Sequence, residues 1–193
     1  SVHGIVTSPP YYLVREYAGQ EGDLNALGNE STVEEYIEHL MLFMDACWRV
    51  LRDDGVAWVN LDDTRESPRL VAIPERFVLA CIERGWIYRQ KVFWVPLNPT
   101  PESMDDRTTD AFQLVFMLTK RSRYWYDQAD TREPHTTKNP SRLERMGPNK
   151  RSRERGAASS DHRASRLGAD WRPQHSNVFH PDGRNPRNVW TFP

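Results

Sequence analysis

Two cysteines among 193 residues are too few for a disulfide framework. Both, Cys47 and Cys81, stand in apolar, helix-like stretches, as expected of reduced core thiols in an intracellular protein. The six histidines show no ligand spacing with them, so no metal centre is expected. No run approaches the roughly 18 apolar residues that a membrane span requires, and nothing resembles a signal peptide. A cytoplasmic protein without a membrane partner is expected. Net charge is also nearly absent, at -1, but the balance hides an asymmetry. Residues 1 to 120 carry 11 Lys/Arg against 19 Asp/Glu, or -8, whereas residues 121 to 193 carry 15 against 8, or +7. A basic region attached to an acidic one suits a polyanion docked on one side through salt-sensitive phosphate contacts. A solvated basic tail is the other reading of that composition.

What is present falls into a regular order. Gly4-Ile5-Val6-Thr7 reads as a short buried strand behind an initial Ser1, so the first residue is not expected to be a natural terminus. Thr32-Val33-Glu34-Glu35 is a capping box, and Val33, Ile37, Leu40, Met41, Met44, Trp48 and Leu51 recur at helical spacing behind it. Asp53-Asp54-Gly55 should end that helix in a turn before a strand over residues 56 to 61. A second helix is expected over residues 70 to 84, with Pro74 in its first turn and Gly85 as its C-terminal cap. Trp86 then opens a strand through Val92-Phe93-Trp94, a proline-rich loop follows, and residues 112 to 119 form a partner strand. Trp58, Trp86 and Trp94 are expected in the core, Trp94 nearest any pocket. This alternation predicts an α/β sheet with helices on its faces and an antiparallel hairpin at one edge. From about residue 128 the pattern gives way to Arg, Ser, Asn, Pro and Gly, and regular structure is expected again near Val178-Phe179 and Asn188-Val189-Trp190.

Thr7-Ser8-Pro9-Pro10-Tyr11-Tyr12 follows the first strand directly, and so belongs at the carboxyl edge of the sheet, where open α/β folds place their ligands. Two consecutive prolines remove donors and fix φ, holding Ser8 and Pro9 in an extended turn whose carbonyls can face a cleft. A rigid pair of acceptors suits a group with two N–H donors, such as the exocyclic amine of a nucleobase. That amine is a poor nucleophile because its lone pair is delocalised into the ring. Hydrogen bonds to the Ser8 hydroxyl and the Pro9 carbonyl would favour a pyramidal nitrogen and stabilise the charge developing as it attacks a methyl sulfonium. Tyr11 offers a flat face for the base, Pro10 stiffens the turn, and a paired base would first have to be flipped out of its duplex. Asp62 and Asp63, at a strand end, read as turn or supporting residues rather than as an acid/base pair.

These residues resemble the fourth conserved motif of the DNA amino-methyltransferases, and companions follow in that family's order. They are Leu27-Gly28-Asn29-Glu30 with Glu35-Tyr36-Ile37, Arg49-Val50-Leu51-Arg52-Asp53-Asp54-Gly55, Val59-Asn60-Leu61-Asp62-Asp63 and Ile73-Pro74-Glu75-Arg76-Phe77. Gly85-Trp86, Phe93-Trp94 through Asn98, Pro101-Glu102-Ser103 and Asp106-Arg107 continue the series, which resumes at Arg184-Asn185-Pro186-Arg187-Asn188-Val189-Trp190. The resemblance implies a Rossmann-like S-adenosylmethionine-dependent methyltransferase sheet, partial here, and double-stranded DNA as partner. It further implies catalytic Ser8, Pro9, Pro10 and Tyr11, with Ser8 and Pro9 also touching S-adenosyl-L-methionine. Ser at the first motif position is more typical of cytosine-N4 enzymes, and adenine N6 is the alternative.

Domain expectations follow the same resemblance: a catalytic region over residues 1 to 127, a basic target-recognition insert over 128 to 187, and a return to the catalytic domain over 188 to 193. Arg145, Arg151, Arg153 and Arg155 are the expected phosphate or base-edge contacts. Two features depart from the family pattern. No Phe-x-Gly-x-Gly cofactor loop occurs in the chain, and in the subclass with catalytic motifs first that loop would come just after Pro193. A separate S-adenosylmethionine-binding portion is therefore an expected partner, and the chain is expected to be cut at both ends. Val95 and Gln113 stand where Lys and Glu are common.

Overall fold

Strand β1 (Val2–Thr7) leads through helix α1 (Val33–Val50) into strand β2 (Leu51–Leu61), which pairs with β1 in parallel. The computed structural model describes residues 1–14, 26–99, 101–135 and 183–192. Thr32 caps α1 in an extended conformation, its side chain accepting the Glu35 N–H at 3.2 Å, as the sequence pattern required. Val33, Tyr36, Leu40, Met41, Met44 and Cys47 form the buried stripe of that helix.

Asp53-Asp54-Gly55 is not the expected turn, because these residues lie inside β2. The register passes from Val2 opposite Leu51 to Gly4 opposite Val56, so two steps along β1 match five along β2 and the excess bulges outward. Glycine is required there: a Cβ on Gly55 would stand 2.8 Å from the His3 carbonyl oxygen and 2.6 Å from Leu51 Cδ1. After β2 the chain makes a small hairpin, β3 (Arg65–Glu66) and β4 (Arg69–Leu70), which the sequence did not announce. Helix α2 (Ile73–Glu83) consequently begins three residues later than expected. Its start is fixed from a distance: Asp63 accepts the N–H groups of Ala72 and Ile73, each at 3.0 Å. Gly85, at φ +94, ends the helix as expected, with Trp86 N–H returning to the Cys81 carbonyl at 3.0 Å.

Strands β5 (Ile87–Pro96), β6 (Gln113–Thr119) and β7 (Val189–Phe192) complete a sheet of order β1-β2-β6-β5-β7. β1, β2, β5 and β7 run in one direction and β6 in the other, a partial Rossmann-like α/β arrangement. β5 and β6 form the expected antiparallel hairpin, but it is not the rim of the sheet. β7 pairs outside β5 in parallel, anchored by Phe93 N–H to the Asn188 carbonyl at 2.8 Å. The core lies between the sheet and its two helices. Ala57, Val59 and Leu61 of β2 and Leu114, Phe116 and Leu118 of β6 share it with residues of α1 and α2. Both cysteines are free and buried, and burial pushes the Cys81 thiol up to about 12. Trp86 is a core residue, edge-on to Trp48 at 4.9 Å. Trp94 is not, being 38% exposed: strand alternation turns Phe93 to the helices and Trp94 to the opposite face. Trp58 is only partly buried and packs on Trp190 at 5.6 Å.

Ser1–Tyr126 with Arg187–Pro193 make one compact unit and Asp127–Pro186 a second. Within the second, Glu133 and Arg184 exchange backbone hydrogen bonds of 3.0 and 2.9 Å and form an ion pair of 2.6 Å. Arg145, Arg151, Arg153 and Arg155, like Val178-Phe179, lie outside the described residues. No helix among the described residues is long and apolar enough to cross a membrane.

Candidate active site

Parallel pairing of β1 and β2 brings two distant stretches of sequence to one edge. Thr7 stands opposite Val59, so Ser8, where the chain leaves β1, comes beside Asn60, which β2 carries on opposite Val115 of β6. The Ser8 hydroxyl donates to Asn60 Oδ1 at 3.2 Å, and the Tyr11 hydroxyl donates to the same oxygen in a shorter bond. Asn60 Nδ2 donates to the Leu114 carbonyl of β6 at 3.2 Å, which fixes the amide so that its oxygen faces both hydroxyls. With its proton committed to Asn60, Ser8 Oγ presents lone pairs to whatever lies above it.

The carbonyls of the turn are not equivalent. Pro10 O accepts the Tyr36 hydroxyl of α1 at 2.8 Å, and Tyr12 O accepts the Thr64 hydroxyl at 2.7 Å. Tyr11 O takes the Val14 N–H at 3.4 Å. Among the described residues no donor reaches the Pro9 carbonyl. Pro10 therefore serves as an anchor point as well as a stiffener. Tyr12 is buried against Tyr36 at 5.3 Å, and burial raises its phenol above the usual range.

A second layer holds the turn from behind. Gly28, at φ +101, accepts the Leu13 N–H at 2.8 Å, and a Cβ there would meet the Tyr11 carbonyl oxygen at 3.1 Å. Its own N–H goes to the buried carboxylate of Glu30 at 2.8 Å, whose other oxygen meets His39 Nδ1 at 2.9 Å. Asp62, two residues past Asn60, accepts the Asp63 N–H at 2.9 Å, and burial, ahead of its carboxylate neighbours Asp110 and Asp63, pushes its carboxyl up. Asp63 is the cap of α2 and has no free oxygen for chemistry.

The structure thus brings Ser8, Pro9, Pro10 and Tyr11 together as one rigid turn at the sheet edge, while the four arginines expected to touch DNA fall outside the described residues. The sequence places Asn60, Tyr36, Gly28 and Glu30 in companion motifs but assigns none of them a role. Tyr36 was within reach, since it lies on the buried stripe three residues after Val33. Asn60 was not, because its importance depends on a strand register. Positive-φ glycines among the described residues are Gly28, Gly85 and Gly183. Each backs onto protein or closes a helix, and none opens a cradle beside the turn. Among the described residues, then, no glycine turn of this kind is available to cradle an adenosyl group.

A family model for DNA methylases matches residues 2–193. Type II methyltransferase M.SfiI of Streptomyces fimbriatus is 34% identical over 154 residues, covering 71% of this chain and 36% of that protein. Type II methyltransferase M.Cfr9I of Citrobacter freundii is 33% identical over 162 residues, covering 69% of this chain and 53% of that one. This chain thus spans about half, or less, of the length of the curated relatives it matches. PvuII DNA methyltransferase (cytosine-N4-specific) shares the fold, with a TM-score of 0.54 at 19% identity over 66% of this chain and 45% of its own. A match along nearly the whole chain establishes that it belongs to the DNA methylase family.

Proposed function

We propose that the protein transfers a methyl group to the N4 amine of cytosine in double-stranded DNA, at a base flipped out of the duplex. The observation that carries this reading is the convergence of the Ser8 and Tyr11 hydroxyls on Asn60 Oδ1, next in sequence to a Pro9 carbonyl that no donor among the described residues reaches. Two acceptors, Ser8 Oγ and Pro9 O, then match the two N–H donors of an exocyclic amine. Gripping both protons draws the nitrogen lone pair out of conjugation and stabilises the positive charge that grows on it during attack. S-adenosyl-L-methionine, the donor that family membership implies, supplies an electrophilic methyl group when bound. Tyr11, tethered at its hydroxyl, keeps its ring at a fixed angle for the base to lie against. The transferred product loses a proton only after the methyl bond has formed, so the turn needs no strong base.

Preference for cytosine rests on Ser8 at the head of the turn and on the cytosine-N4 specificity of the PvuII enzyme, which shares the fold. The basic segment beyond residue 127 is assigned to DNA recognition, with Arg145, Arg151, Arg153 and Arg155 on phosphates or base edges. The adenosyl-binding glycine loop is assigned to a portion of the protein beyond these 193 residues, since no Phe-x-Gly-x-Gly occurs among them. The test is to incubate the full-length protein with unmethylated genomic DNA and methyl-labelled donor, digest the DNA to nucleosides and separate them. Label in N4-methyldeoxycytidine supports the reading. Label in N6-methyldeoxyadenosine moves the same chemistry to adenine, and unlabelled DNA refutes transfer altogether.

A further inference from the structure

Two non-glycine residues among those described have left-handed backbones, Leu13 at φ 54 and Ala72 at φ 62. Ala72 has a structural reason, since its N–H and that of Ile73 are held by Asp63 at the start of α2. Leu13 has none in its side chain, which packs into no core and is 57% exposed. An exposed leucine alone is ordinary, but a branched side chain in this region is an outlier that glycine or asparagine would relieve. The backbone around it is tightly fixed. Leu13 N–H is bonded to the Gly28 carbonyl, Tyr12 is buried and tied through its carbonyl to Thr64, and Val14, half exposed, closes back onto Tyr11. A strained, apolar, solvent-facing tip thus stands on a rigid base two residues beyond Tyr11, within about 7 Å along the chain.

We infer that Leu13 is the wedge that enters the DNA duplex at the position the flipped base vacates. The inference rests on the proposed methyl transfer to a flipped base and names the residue that makes flipping favourable. Pulling one base out of the stack leaves an apolar gap between its neighbours, and an inserted aliphatic side chain restores the lost contacts. A leucine that joins no core cluster among the described residues gains full apolar contact only in that complex. The left-handed backbone points it outward from the turn that grips the extruded base, so grip and wedge move as one body. Leu13 touches no reacting atom and is a positioning residue for the substrate.

The experiment compares the full-length protein with Leu13→Gly and Leu13→Ala on short duplexes containing the modified site mapped by sequencing of methylated genomic DNA. One duplex has the target base opposite its normal partner, and the other has it opposite an abasic site, where the base pair that resists extrusion is already missing. Leu13→Gly should raise the denaturant midpoint, because it relieves the backbone, while slowing methyl transfer on the paired duplex about tenfold or more. On the abasic duplex both variants should match the parent within about twofold. Equal slowing on both duplexes, or no slowing on either, overturns the wedge while leaving the methyl transfer reading intact. Absence of transfer by the parent on any DNA overturns that reading and the wedge with it.

Discussion

Replacing Asn60 by alanine would remove one acceptor from two hydroxyls at once, those of Ser8 and Tyr11. Neither loses its place in the turn, since Pro10 and Tyr12 stay anchored to Tyr36 and Thr64. The expected result is kcat reduced roughly 10- to 100-fold with KM for DNA nearly unchanged, read by steady-state methyl transfer. A parallel rise in KM would mean that Asn60 acts on binding instead. Asp62 makes a separate prediction about pH. Burial raises its folded carboxyl, so the unfolded chain gives up that proton more readily than the folded one. Stability from this group is present below the ordinary aspartate range, about pH 4, and is lost as pH rises through the elevated folded value. Asp62→Asn, which keeps an acceptor for the Asp63 N–H, should therefore be more stable than the parent in urea at pH 7. The difference should shrink toward zero as the pH falls below the aspartate range.

At the scale of elements, the start of α2 depends on a carboxylate nine and ten residues upstream of the N–H groups it caps. Asp63→Ala should cost about 1 to 2 kcal/mol in chemical denaturation, and Asp63→Asn less, with methyl transfer affected only through stability. A loss near zero would show that water replaces the cap without penalty. This dependence is also why the helix starts later than the sequence predicts. Pro74 in the first turn and Gly85 at the end are local signals and were legible, whereas a cap reaching back to the end of β2 has no local signature. The same division runs through the molecule. The capped α1, the turn after β1 and the β5–β6 pairing could be read from periodicity and punctuation. The bulge at Asp53-Asp54-Gly55, the placement of β7 outside β5 and the role of Asn60 could not, because each is decided by the register between strands.

For the whole molecule, the function proposed above and the split between an acidic first part and a basic second part predict that affinity for DNA resides mainly in the charges beyond residue 120. Binding of the full-length protein to DNA should weaken steeply with salt, and the logarithmic slope should become shallower by roughly 0.9 for each phosphate contact removed. Substituting glutamine at Arg145, Arg151, Arg153 and Arg155 together should flatten the slope measured by fluorescence anisotropy. An unchanged slope would assign the phosphate contacts to other cations.

β7 lends the sheet a different kind of freedom. The chain departs after β6 at Thr119 and rejoins the same sheet at Val189, where Asn188 bonds to Lys91 and Trp190 leans on Trp58. The intervening stretch is pinned to the sheet at both ends, by Asn188 on the Lys91 carbonyl and by the Trp125 N–H on the Asp54 carbonyl at 2.9 Å. Lengthening a tethered segment adds only about 0.6 kcal/mol per doubling. On the function proposed above, one stretch can be exchanged for another of different length and lettering while the turn after β1 is inherited intact, so new addresses in the genome need no new chemistry.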